Sequence, residues 1–124
     1  MISRRQWITS ISAAGATLVL PKTFAAESKQ ARVVSTWDFG VGANQAAWQT
    51  LRSGGSALDA VEQGARWAES DLCNATVGRC GNPDRDGHVS LDASIMDGDG
   101  RCGSVAALED ILHPISVARR VMEK

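Results

Sequence analysis

The sequence contains no tyrosine, and its aromatic residues are limited to two phenylalanines and four tryptophans among 124 residues. It also lacks an apolar run of the roughly 18 residues that a membrane-spanning helix needs, so we expect no membrane span. Neither sign of charge dominates, because 13 basic and 14 acidic side chains give a net charge of −1. This balance argues against a nucleic-acid-binding protein that relies on a basic surface. The remaining composition, 44% hydrophobic and 22% charged, is typical of one small globular domain.

Acidic residues are absent from the first 26 positions, which carry three basic side chains including the paired Arg4 and Arg5. An uncharged run from Ile8 to Leu20 follows, and Thr23-Phe24-Ala25 places small residues where a signal peptidase cleaves. This pattern predicts a twin-arginine-type signal peptide over residues 1–25 and a periplasmic or secreted protein. An ordinary secretory signal and an amphipathic first helix are the alternatives.

Cysteine is scarce, with only Cys73, Cys80 and Cys102 in the sequence. An exported protein can form disulfides, and the short gap between Cys73 and Cys80 is compatible with a local bridge. An odd number leaves at least one thiol unpaired within the chain. Metal binding with His88 and His113 is the other interpretation, but there is no C-x-x-C pair or regular ligand spacing. We therefore expect no metal site and no cofactor.

Hydrophobic periodicity and turn residues predict an α/β (α+β) domain in the order strand, helix, helix, strand, strand, helix. Ser56 and Asp59 have the spacing of a capping box at the start of the second helix. One apolar face is predicted on each of the three helices: Ala47, Trp48 and Leu51 on the first, Ala57, Leu58, Val61, Ala65 and Ala68 on the second, and Ile115, Ala118, Val121 and Met122 on the last. The predicted elements are a strand Val33–Phe39, helices Asn44–Arg52 and 57–68, a loop Leu72–Asp86, strands His88–Met96 and Ser104–Leu108 joined by a turn Asp97–Gly100, and a helix Ile115–Glu123.

The last predicted helix reaches Lys124 without a C-cap. A sheet of three strands with three short helices also gives a thin core for residues 26–124. We therefore expect residues 26–124 to be an incomplete domain of a longer chain.

Few residues suggest chemistry by themselves. The acid-rich turns at 84–87 and 97–100 fail as EF-hands, because Ile95 and Leu108 stand where the loop needs its final glutamate. No G-x-S-x-G motif and no catalytic triad is visible. Ser53-Gly54-Gly55-Ser56 suits a tight link between helices better than an anion site. Trp37, at a predicted strand end before two glycines, suits either the wall of a pocket for a sugar-bearing ligand or the core.

Several segments of the sequence match one known family. They are Val33–Phe39, Ala46–Trp48, Leu51, Ser53–Glu62, Cys73–Gly78, Gly81–Asp84, Leu91–Gly98, Gly103–Leu108 and Pro114–Arg119. Together they resemble the N-terminal part of glycosylasparaginase, a member of the asparaginase group of N-terminal nucleophile hydrolases. The blocks Ser53–Val61 and Asp92–Gly98 are shared with plant-type asparaginases, whereas the start of the domain and the loop after the second helix favour glycosylasparaginase within that group.

The resemblance implies the N-terminal (α-subunit) part of a four-layer αββα sandwich. It also implies hydrolysis of the bond between N-acetylglucosamine and asparagine by an N-terminal threonine that autoproteolysis exposes. That threonine would lie beyond Lys124, in a missing β-subunit segment, so this chain alone is expected to be inactive. The complete protein would be a homo-oligomer of α/β units that binds a glycoasparagine or asparagine-type substrate, with no nucleic acid or membrane partner.

Two site residues are carried over by the resemblance. Trp37 matches a tryptophan that lines the substrate pocket, and Thr76 matches a hydroxyl residue that supports the nucleophile. Asp38 departs from the pattern, because the family often has proline there. The alternatives are an L-asparaginase or isoaspartyl peptidase of the same superfamily and a truncated, non-catalytic periplasmic module.

Overall fold

The computed structural model describes residues 30–124, so the predicted signal peptide at 1–25 lies outside the described residues. In this part of the chain, two helices precede a two-stranded antiparallel sheet and a last helix. None of the helices within residues 30–124 has the length and apolar character needed to cross a bilayer. The elements are α1 (Gly40–Arg52), α2 (Ala57–Ser70), a 3₁₀ turn (Gly78–Cys80), β1 (Leu91–Met96), β2 (Cys102–Leu108) and α3 (Pro114–Met122).

The prediction of a first strand at Val33–Phe39 is wrong, because these residues form no strand in the described part of the chain. Residues 33–35 have no regular secondary structure, and residues 36–39 bend and turn into α1. A strand needs a neighbour to accept its backbone hydrogen bonds, and the sheet that the structure describes contains only β1 and β2. Helix α1 begins at Gly40 rather than after Asn44, and its N-cap residue, Phe39, makes no side-chain capping bond.

Helices α1 and α2 form a hairpin that small residues hold together. The carbonyl oxygen of Ala43 and the side chain of Ala47 lie so close to Gly64 that a Cβ there would sit 3.0 Å from that oxygen. The predicted capping box is confirmed, because Asp59 N–H donates to the Ser56 hydroxyl and Ser56 N–H donates to the Asp59 carboxylate. The predicted apolar face of α2 is confirmed for Ala68, which is buried, and for Leu58 and Ala65, which pack against the core. It is wrong for Val61, which is 53% exposed, because the side that packs on α1 buries Ala60 and Gly64 instead.

The capping box predicts a pH dependence of stability. Hydrogen bonds from the Ser56 side chain and backbone, with help from Arg119, lower the pKa of Asp59 from 3.8 to about 2. Because the folded-state pKa is depressed, the stabilisation is present above about pH 4 and is lost as the pH falls through 2. Urea unfolding between pH 2 and 4 should therefore show a steeper loss of stability for the native chain than for Asp59→Asn. Equal slopes would contradict a stabilising role for the Asp59 charge.

Strands β1 and β2 form the predicted hairpin around the turn at 97–100, although β1 begins at Leu91 rather than His88. The Asp97 carboxylate accepts hydrogen bonds from the backbone of Asp99 and Arg101, which fixes the turn. The pairing is irregular between Leu91 and Ala93. There the Asp92 carboxylate accepts a 2.7 Å hydrogen bond from Ala107 N–H, and Ala107 has a φ of 53°. This bulge did not follow from the alternating pattern.

Helix α3 covers one face of the hairpin. Ile95 of β1 packs with the buried residues Ile115, Ala118 and Met122, which confirms the predicted apolar face of α3 except for Val121, which is 50% exposed. Gly103 of β2 lets the helix approach, because a Cβ there would collide with the backbone of α3. Helices and an antiparallel sheet together agree with the predicted α+β class. The opposite face of β1 carries the exposed residues Asp92, Ser94 and Met96.

Arg119 links α3 to α2 through carboxylates. Its guanidinium lies 2.7 Å from Asp59 and Glu62 of α2 and from Glu123 one turn along α3. Hydrogen bonds to Glu123, Asp59 and Glu62 raise the pKa of Arg119, so the group stays charged. Because the Arg119 side chain is four-fifths buried, these contacts orient α3 on the helix hairpin as well as adding charge attraction.

Candidate active site

An open cavity of about 750 Å³ lies between the turn that precedes α1 and the loop that follows α2. Trp37 and Thr76 both contribute to its lining, so the structure brings together the two site residues proposed from the sequence. They are separated by the whole α1–α2 hairpin in the chain. The complete lining is Trp37, Asp38, Phe39, Asp71, Cys73, Asn74, Ala75, Thr76 and Val77.

Trp37 presents its ring to solvent. The residue is 69% exposed, so it is not packed in the core of residues 30–124. Its position is set by the turn into α1, where Gly40 N–H donates a 2.8 Å hydrogen bond to the Trp37 carbonyl oxygen. The neighbouring Asp38 carboxylate accepts a hydrogen bond from Phe39 N–H at 2.9 Å. A large aromatic face at the edge of a cavity is suited to stack on an apolar or sugar-bearing ligand.

Thr76 is held by the side chain of Asn74. The Asn74 amide oxygen accepts two hydrogen bonds from Thr76, a 3.0 Å bond from the backbone N–H and a 2.7 Å bond from the hydroxyl. Asn74 is 6% exposed, whereas Thr76 is exposed. Sequence reasoning missed Asn74, although an asparagine two residues before a hydroxyl residue is a known signal for this kind of turn. The sequence pattern of a polar loop does not indicate that the Asn74 side chain is buried.

The loop that carries Thr76 is anchored on the end of α2. Gly78 has a φ of +68°, and a Cβ there would collide with the backbone of Glu69. The Glu69 carboxylate, itself buried, accepts a 3.0 Å hydrogen bond from Ile115 N–H and lies 3.1 Å from His113 Nδ1. Burial raises the pKa of Glu69. Glu69 thus joins α2 to the start of α3, and the site loop packs directly against that junction.

The lining of the cavity has a clear electrostatic character. It includes the carboxylates of Asp38 and Asp71, a hydroxyl and two aromatic rings, and no basic side chain among the described residues. Neither His88 nor His113 contributes to the lining. The Thr76 hydroxyl therefore has no histidine or lysine beside it in the lining that residues 30–124 form. The arrangement is suited to bind and orient a ligand that carries N–H donors.

Comparison with known sequences identifies the relationship. The sequence profile of the family described as Asparaginase matches residues 13–124. This chain belongs to the Asparaginase family.

The relatives of this Asparaginase-family chain carry two kinds of name. A protein of Elizabethkingia miricola named N(4)-(β-N-acetylglucosaminyl)-L-asparaginase is 59% identical over 92 residues, which cover 74% of this chain and 27% of the relative. A Mus musculus protein of the same name is 53% identical over 92 residues, covering 73% and 26%. A Drosophila melanogaster protein named "Probable isoaspartyl peptidase/L-asparaginase" is 48% identical over 87 residues, covering 64% and 26%. The chain thus spans about a quarter of the length of these relatives.

The family membership confirms the resemblance that the sequence motifs indicated. The mixed helices and antiparallel sheet of residues 30–124 are consistent with part of a member of the Asparaginase family.

The segment 53–56 links α1 to α2, as predicted. The Ser53 hydroxyl donates hydrogen bonds to the carbonyl oxygens of Gln49 and Thr50 at the end of α1. The Ser56 hydroxyl donates to the Asp59 carboxylate at the start of α2.

The cysteines of this Asparaginase-family chain do not form a cluster. Cys73, Cys80 and Cys102 are exposed free thiols, and Cys73 contributes to the lining of the cavity. Within residues 30–124 there is no group of three or more cysteine, histidine or acidic side chains placed to hold a metal ion.

Proposed function

We propose that this chain is the N-terminal part of an amidohydrolase that cleaves the bond between N-acetylglucosamine and asparagine. The observation that carries the proposal is the meeting of Trp37 and Thr76 in one cavity, in a chain that shares 59% and 53% identity with proteins named for this activity. In the complete protein the cavity would lie within a four-layer αββα sandwich, and the exposed face of β1 and β2 would pack against further strands.

The proposed nucleophile is a threonine that autoproteolysis leaves at the start of a second subunit, in polypeptide beyond this chain. Its α-amino group, with an ordinary pKa near ~8, accepts the hydroxyl proton at neutral pH. The threonine oxygen attacks the side-chain carbonyl carbon, and the carbon–nitrogen bond of the amide breaks. The leaving glycosylamine takes the proton from the ammonium group. Water then hydrolyses the acyl-enzyme to release aspartate and regenerate the threonine.

This chain would supply positioning rather than the nucleophile. Trp37 forms a wall of the substrate pocket, and the Thr76 hydroxyl lies beside the amine of the nucleophile and orients it. The 124-residue chain alone would be inactive. The complete protein would assemble as a homo-oligomer of α/β units, and the paired arginines near the N-terminus would direct its export, so that it would be periplasmic or secreted.

A hybrid protein tests the proposed function. In the hybrid, the segment of the Elizabethkingia miricola relative that aligns with this chain is replaced by the sequence of this chain. We expect the hybrid to cleave itself and to hydrolyse N4-(β-N-acetylglucosaminyl)-L-asparagine, whereas the 124-residue chain alone should release no aspartate. A cleaved, folded hybrid without this activity would contradict the proposal.

A second candidate function is hydrolysis of free asparagine or of β-aspartyl peptides. It is favoured by the relatives named as isoaspartyl peptidase/L-asparaginase, one of which is 48% identical to this chain. The hybrid distinguishes the two candidates when its kcat/KM is measured for glycosylated asparagine, asparagine and a β-aspartyl dipeptide. A preference for the dipeptide would support the second candidate.

A further inference from the structure

We propose that Asn74 is a positioning residue that fixes the hydroxyl of Thr76 as a hydrogen-bond acceptor toward the cavity. The group that binds beside the Thr76 hydroxyl is consequently a hydrogen-bond donor, which we assign as an amine or ammonium group. The inference deepens the proposed function and rests on it, because the amine in question is that of the proposed N-terminal threonine. It concerns a residue that the family resemblance did not assign.

The orientation of the Asn74 amide follows from the backbone. Thr76 N–H is a donor and lies 3.0 Å from the amide atom of Asn74 that faces it. That atom must therefore be the oxygen, since an NH₂ group there would place two donors against each other. The other end of the amide, Nδ2, is buried and has no hydrogen-bond partner among residues 30–124. The bonds to Thr76 thus set the orientation of the side chain.

The orientation of the Thr76 hydroxyl follows in turn. Its oxygen lies 2.7 Å from the same Asn74 oxygen, which carries no hydrogen and can only accept. The hydroxyl therefore donates its single hydrogen to Asn74. Toward the cavity that Thr76 lines, the hydroxyl can therefore only accept hydrogen bonds, through its lone pairs.

The charged and titratable groups around Thr76 agree with a donor as the incoming group. Asp38 from the turn before α1 and Asp71 and Cys73 from the loop line the same cavity. Glu69 of α2 and Asp92 of β1 line a neighbouring cavity of about 460 Å³ to which Thr76 also contributes. Neither lining contains a basic side chain.

A fixed acceptor changes the acid–base behaviour of an amine. It stabilises the ammonium form and so raises the pKa of the amine. If Asn74 is replaced by leucine, the hydroxyl is free to rotate and donate to the neutral amine, which lowers that pKa. Hydrolysis needs the neutral amine as a base, so the acidic limb of the kcat/KM profile reports this pKa.

The test uses the hybrid protein and its kcat/KM between pH 5 and 9. In Asn74→Leu we expect the acidic limb to move to lower pH and kcat to fall about tenfold with a smaller change in KM. Asn74→Asp keeps the acceptors, so its limb should stay or move to higher pH. Asn82→Leu, an exposed asparagine outside the cavity, is the matched control and should leave the profile unchanged.

The Thr76→Val background separates positioning from a structural effect. Without the hydroxyl, Asn74→Leu should cause no further shift of the limb. Three outcomes would overturn the inference. The acidic limb of the kcat/KM profile could stay in place in Asn74→Leu, it could move equally in the Thr76→Val background, or it could move to lower pH in Asn74→Asp.

A hybrid that hydrolyses none of the substrates would reject the proposed function separately. The inference would then be tested by hydrogen exchange of the Thr76 amide in the 124-residue chain. The same measurement is used if Asn74→Leu prevents the hybrid from folding. Protection that is kept in Asn74→Asp and lost in Asn74→Leu supports the positioning role. Equal exchange in the native chain and in Asn74→Leu overturns it.

Discussion

Replacement of Gly78 by alanine should destabilise the protein by about 2–5 kcal/mol. Two costs combine at this position. An alanine must adopt the φ of +68° that Gly78 adopts, and its Cβ would meet the backbone of Glu69. Positive φ for a residue with a side chain costs about 1–2 kcal/mol, and overpacking adds about 1–3 kcal/mol. The backbone at Glu69 cannot move aside easily, because its carboxylate is bonded to the start of α3.

Gly87 provides a matched control. It has a φ of +88°, similar to that of Gly78, but a Cβ there would meet nothing within 4 Å. Gly87→Ala should therefore show only the backbone cost of about 1–2 kcal/mol. Urea unfolding followed by far-UV circular dichroism measures both variants. Equal midpoints for Gly78→Ala and Gly87→Ala would show that the contact with α2 does not constrain the loop.

The features predicted correctly from the sequence are those that short spacings determine. The capping box needs only Ser56 and Asp59, three residues apart, and the hairpin turn needs only the residues from Asp97 to Arg101. The last helix is predicted to begin at Ile115 and begins one residue earlier, at Pro114, whose fixed φ suits a first helical turn. In each case the partners that make the hydrogen bonds are local, so the sequence pattern contains the whole interaction.

The features that were missed depend on partners far away in the chain. The segment Val33–Phe39 has the composition of a strand, yet composition cannot supply the neighbouring strand that it needs. The bulge at Ala107 depends on the carboxylate of Asp92, fifteen residues earlier. Val61 belongs to the apolar set of α2 by spacing, but packing of α2 on α1 buries Ala60 and Gly64 instead.

The candidate site divides in the same way. The motifs indicated Trp37 and Thr76 separately, through the resemblance to a family. Their shared cavity arises only when the α1–α2 hairpin folds and brings the two ends of the hairpin together. Asn74 was missed because the asparagine signal predicts a turn, while its buried position beneath Thr76 is a property of the packed loop.

Replacement of Trp37 by alanine in the hybrid protein should lower kcat/KM for the glycosylated substrate about 30-fold. The ring is 69% exposed in this structure, so most of its surface is available to a ligand. Covering about 80 Å² of apolar surface at about 25 cal/mol per Å² contributes about 2 kcal/mol, which corresponds to roughly 30-fold. Because Trp37 would contact the substrate in the ground state as well as the transition state, the loss should appear mainly as a higher KM.

Trp48 is the matched control for this substitution. It lies on α1, is 43% exposed and does not contribute to the lining of the cavity, so Trp48→Ala should leave kcat/KM unchanged. Self-cleavage of the hybrid should continue in both variants, since that step acts on the protein backbone and not on a ligand at Trp37. If the ring stacks on the sugar, the loss in Trp37→Ala must be larger for glycosylated asparagine than for asparagine. An equal loss for both substrates would place the ring against the asparagine part, and unchanged kinetics would remove Trp37 from the pocket.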